Sequence, residues 1–189
     1  IVGLNPITKK SLINNKNLCN FHFIDLDSLN EKIFSNIDMI KLFKQYQYFK
    51  GNKNEKYKEV DKKMSLFWEK NLLNLIENNI IPKKNIIILG NNSHFRNLSK
   101  KIDIPSKNNF IIETNKYDIR EIINFNLNSN KEKIINGLYP LNNIDFEYLM
   151  KTKKRIENSY KNIGYLSKNF ENIKKILELL NEKDNNLKG

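Results

Sequence analysis

Residues Asn85–Gly90, "NIIILG", decide the fold class. Three isoleucines and a leucine follow one another without a polar interruption, bounded by the turn residues Pro82, Gly90 and Asn91. A half-exposed strand would alternate apolar with polar residues, so an unbroken run of this length reads as a strand buried on both faces, the habit of parallel sheets. Working outward, "NFHFIDLD" (Asn20–Asp27) is a second strand, aromatic and β-branched, that finishes on two aspartates. "NFIIET" (Asn109–Thr114) is another, and Ile1-Val2, closed by Gly3, is the first. Between them lie helical patterns. The strongest places Met64, Phe67, Trp68, Leu72, Leu75 and Ile76 at three- and four-residue steps, with Pro82 beyond as the stop. Strands separated by helices predict an α/β fold, a mostly parallel sheet flanked by helices.

The other segments fill in this frame. Ser28 reads as an N-cap with Glu31 closing a capping box, ahead of one helix through Ile33, Phe34, Ile37, Ile40 and Phe43. Lys50–Lys63 is an exposed connection or the polar start of the next helix. Further helices are expected over Lys9–Asn14, after Asn92 or Ser93, through Ile119, Ile122 and Ile123, and roughly over 131–135, 145–162 and 170–182. Residues 1–184 read as a single α/β domain, with 128–162 as a helical, lid-like elaboration and 185–189 as a tail. The chain opens without Met in what reads as mid-strand, which leaves room for a segment upstream.

A formal net charge of +12 over 189 residues favours anionic partners: phosphates, nucleic acid or an acidic surface. The lysines are scattered, however, and Lys, Asn and Ile dominate throughout, as an AT-rich coding sequence would dictate. In "FKQYQYFKGNKNEKYK" (Phe43–Lys58) aromatics interleave with lysines as they do in single-strand binders, and half of these aromatics would suit helix packing equally well. Cys19 is alone and cannot form an internal disulfide, which points to a reducing, cytoplasmic setting. No apolar run is long enough for a membrane span, so no membrane partner is expected. His22 and His94 are the only imidazoles and form no ligand cluster in the sequence.

In an open parallel sheet, ligands bind beyond the carboxyl ends of the strands. The polar residues of interest fall there: "GLNPITKKS" (Gly3–Ser11) after the first strand, Asp25 and Asp27 after the second, "GNNSHFR" (Gly90–Arg96) after the third, and Glu113 after the fourth. This layout resembles that of the P-loop kinases of small nucleotides and metabolites. Against their G-x-x-x-x-G-K-[ST] loop, Gly3 matches the first glycine and Lys9 the lysine without a gap. Thr8 stands in place of the second glycine, and Lys10, followed by Ser11, in place of the magnesium-binding hydroxyl.

The resemblance implies ATP or GTP as ligand, held by Gly3, Asn5, Thr8, Lys9, Lys10 and Ser11. It implies Asp25 or Asp27 against an acceptor hydroxyl, and Arg96 and Arg155 on phosphate. Magnesium is in question, because an ammonium at position 10 cannot coordinate it. A phosphate site survives these departures better than an efficient phosphotransferase does. "DLDSL" (Asp25–Leu29) is also similar to the opening motif of haloacid-dehalogenase-like phosphatases, but their downstream lysine and acidic pair have no counterpart after Glu113. Two other classes stand beside the kinase-like reading: an inactive scaffold within a larger protein assembly, and a basic nucleic-acid-binding module.

Overall fold

The structure is a computed structural model that describes residues 1–4, 6–90, 93–113 and 146–188. The helices expected through Ile119, Ile122 and Ile123 and over 131–135 lie outside the described residues, as does most of the lid-like region. In chain order the elements are α1 (Pro6–Ile13), β1 (Phe21–Asp25), α2 (Leu26–Phe34), α3 (Ile37–Gly51), α4 (Lys56–Asn79), β2 (Asn85–Leu89), α5 (Leu98–Lys101), β3 (Phe110–Ile112), α6 (Phe146–Lys161), β4 (Leu166–Lys168) and α7 (Phe170–Lys188). The chain is therefore α/β, and every strand pairing among the described residues is parallel. The pairings form two small two-stranded sheets, β1 with β2 and β3 with β4. Among the described residues no helix is long and apolar enough to cross a membrane.

Two compact units emerge, residues 19–90 and residues 1–18 with 91–189. In the first, β1 and β2 run in register from Phe21 opposite Asn85 to Asp25 opposite Leu89. Its buried side chains include Ile24, Leu29, Ile33, Met39, Leu72, Ile76, Ile87 and Leu89. The apolar stripe on α4 is as expected: Leu72 and Ile76 are buried, and the Trp68 indole donates to Asn30 Oδ1 on α2. The capping differs from the sequence reading. Asp25, not Ser28, caps α2, its Oδ1 accepting from the Asp27 N–H at 3.0 Å and its Oδ2 from the Ser28 hydroxyl at 3.0 Å. A carboxylate directly before the first turn satisfies orphan N–H groups and meets the positive end of the helix dipole, so it outcompetes a hydroxyl three residues on. The single helix expected through Phe43 is also two. Asn36 is extended and caps α3, accepting from the Asp38 N–H at 2.9 Å.

The other unit is built on β3, which is buried at all three of its residues. Phe110 stands opposite Leu166 and Ile112 opposite Lys168 on β4, while Val2 bridges Ile111 in parallel on the other side. Val2, Ile111, Tyr160 and Tyr165 form one buried cluster, with Ile156 and Ile163 packed against it. The two tyrosine rings meet edge to face at 5.1 Å. After α1 the chain is held to α7 by Asn15 and Asn17, whose side-chain amides donate to Glu178 Oε1 at 3.0 and 3.4 Å. α7 continues to Lys188, past the expected tail, because no Gly or Pro interrupts it before Gly189.

Candidate functional site

The first loop begins from a backbone held on both sides of Val2. Its N–H donates to the Phe110 carbonyl at 2.9 Å, and its carbonyl accepts from the Ile112 N–H at 3.1 Å. The chain then turns at Gly3 with φ +80°, a conformation that L residues rarely adopt. A Cβ there would meet Ile112 and Ile111 only at ordinary contact distances, so the backbone angle, and not space, calls for glycine. Leu4 is fully buried and pins the loop from below. α1 starts at Pro6. Proline's fixed φ suits the first helical position, and Thr8, in the place of the family's second glycine, offers no resistance to helix.

The helix thus takes over earlier than the resemblance implies. Thr8, Lys9 and Lys10 all lie within α1, so the phosphate-cradling curl expected to run up to Lys9 is cut short. Helical periodicity then sorts the candidates. Pro6, Ile7, Lys10, Ser11 and Asn14 share one exposed face and line an open cleft of about 550 Å³ on the helix surface. Leu12 is buried on the opposite face, and Thr8 and Lys9 lie half-buried between the two. Lys10 and Ser11, the residues that break the family pattern, are therefore the pair that faces the cleft. Asn14 joins them through its i+4 spacing from Lys10, a relation visible in the sequence once the helix start is known. Asn5 lies outside the described residues.

Arg96 and Arg155 are brought into one neighbourhood. Arg96 Nη1 donates to Ser159 Oγ at 3.0 Å, and Arg155 lies one turn earlier on the same face of α6. Both arginines are exposed. Ser159 is the member that the sequence did not flag, although its i+4 spacing from Arg155 was there to read. Asp25 and Asp27 belong to the other unit, at the end of β1 and the start of α2. Asp25 is occupied structurally, with both carboxylate oxygens in the cap.

The donor set does not suit magnesium. The family position for a hydroxyl ligand is an ammonium, and a hard cation needs several oxygen ligands. Among the described residues no group of three or more His, Cys, Asp or Glu converges on a metal site. What the α1 face offers is one ammonium, one hydroxyl and one amide beside the exposed Pro6 and Ile7, a set that matches an anion's oxygen atoms. No protein-family model, curated protein or solved structure matches the chain.

Proposed function

We propose that the chain is a nucleotide- or phosphate-binding protein built like the small P-loop kinases, on a mostly parallel sheet flanked by helices. ATP or GTP is the proposed ligand. The strand pairing beside Val2 is the observation that carries this reading. Val2 and β3 are adjacent and parallel, yet they are not consecutive: all of residues 19–90 intervene between them. Open parallel sheets bind their ligands beyond the carboxyl ends of the strands, and Gly3, directly after Val2, turns there at φ +80° ahead of α1.

Lys10 contacts the phosphates, Ser11 and Asn14 supply further hydrogen bonds, and Lys9 adds positive charge from the flank. Binding, and not phosphoryl transfer, is the activity proposed. Asp25 serves as a helix cap, and no step is routed through magnesium, whose ligand position holds Lys10. Calorimetric titration with ATP and GTP in excess EDTA tests the reading. The expected result is saturable binding that Lys10→Ala weakens by about 10- to 100-fold, the scale of one lost charge-assisted hydrogen bond. Absence of binding at millimolar nucleotide, with or without magnesium, would overturn it.

A further inference from the structure

The α3–α4 hairpin carries a surface that the phosphate site does not use. Between Lys41 and Lys58 the chain places six lysines against one carboxylate, Glu55, together with five aromatic residues. Lysine is frequent along the whole chain, and what sets this stretch apart is the interleaving of its lysines with aromatic residues. The fold divides these residues into two groups. Tyr46 and Tyr57 meet edge to face at 6.1 Å across the hairpin, and Lys50 lies over the Tyr46 ring while donating to its hydroxyl at 2.9 Å. Lys58 pairs with Glu55 and covers Tyr57. This group holds the tip together and consumes the only carboxylate of the segment.

The second group is left to solvent. Tyr48 is 67% exposed, steadied on one edge by Phe49 at 5.5 Å. Lys41 and Lys44 precede it on the same helical face, at steps that place the three in one row. Lys41 makes only a long contact, 3.5 Å, to the exposed Asp38. Lys53 follows in the turn and Lys56 opens α4, both exposed. An open aromatic ring set in a row of lysines presents two chemistries at once, a stacking face and a line of cations. Phosphate chains supply the complementary charge, and only unpaired bases supply a free face for the ring.

We propose that the α3–α4 hairpin, along one face of α3 and the turn after it, binds single-stranded nucleic acid, Tyr48 stacking on a base while Lys41, Lys44, Lys53 and Lys56 hold the phosphates. The site lies wholly within the unit formed by residues 19–90 and does not depend on the nucleotide reading of α1.

Fluorescence anisotropy of a labelled 20-nucleotide oligo(dT), titrated with the full chain at 50 mM salt, tests it. Binding is expected, with log affinity falling linearly as log salt rises. Tyr48→Ala, at an exposed position that leaves the fold intact, is expected to weaken binding about tenfold, while Tyr48→Phe, which keeps the ring, retains it. Lys44→Glu combined with Lys53→Glu is expected to weaken binding and flatten the salt slope. No binding of oligo(dT), or no effect of Tyr48→Ala, overturns the proposal. Equal or tighter binding of a 20-base-pair duplex, heparin, an acidic peptide or phosphatidylserine vesicles also overturns it, since each supplies charge without an unpaired base.

Discussion

At the scale of single residues, backbone angle and burial set the sharpest constraints. Gly164 sits at φ +97°, and a Cβ there would fall 2.8 Å from Ser106 Oγ. Gly164→Ala therefore incurs both a left-handed penalty and a clash, an expected loss of about 1–3 kcal/mol in urea unfolding followed by circular dichroism. Its neighbour Tyr165 is buried, and burial pushes the phenol above its usual value, offset in part by hydrogen bonds with Ser99. The folded state thus holds this proton more tightly than the unfolded chain does. The corresponding stability is fully present below about pH 10, the unfolded value, and is lost as pH rises through the raised folded value. Tyr165→Phe removes that dependence. Its stability is expected to be about 1 kcal/mol lower at neutral pH, from the lost hydrogen bonds, with the difference narrowing above pH 10. Unfolding midpoints of the two proteins between pH 8 and 11.5 check this.

At the scale of elements, the order of strands and helices was legible because it rests on long patterns. "NIIILG", "NFHFIDLD" and "NFIIET" each yielded a strand, and the Met64–Ile76 stripe a helix. Helix ends were less legible, since they turn on single hydrogen bonds. Ser28 and Asp25 are both competent caps in sequence, and only the path of β1 into α2 puts the carboxylate at the first N–H groups. The same holds at α1. A glycine, a proline and a lysine fit a long phosphate loop as well as a short turn into a helix, and Pro6 resolves the choice toward helix. The cap gives a direct test. Asp25→Ala is expected to cost about 1 kcal/mol and Asp25→Asn much less, because the amide oxygen still accepts from the Asp27 N–H. Trp68, the chain's only tryptophan, is bonded to α2 through Asn30 and reports this unfolding by fluorescence.

At the scale of the molecule, strand alternation along the chain specifies the α/β class, but pairing between distant segments is decided by packing that no local pattern records. That Val2 lies beside β3, more than a hundred residues on, was not readable from "IVGLNP" or "NFIIET" alone. Yet this pairing sets Gly3, and with it the turn that precedes α1, against β3. The candidate residues were legible in part. Gly3 makes the turn after Val2, and Lys10 and Ser11 share an exposed face of α1, while Asp25, set by the sequence reading against an acceptor, also caps α2. The charge of +12 shows the same limit, because only its local arrangement separates a site from a uniform bias. The central claim concerns where phosphate binds, so the most direct measurement is amide hydrogen exchange with and without saturating ATP in EDTA. Protection concentrated in residues 1–14 and 109–113, and abolished by Lys10→Ala, is the predicted result. Protection confined to residues outside those two segments, or unchanged by Lys10→Ala, would contradict the account.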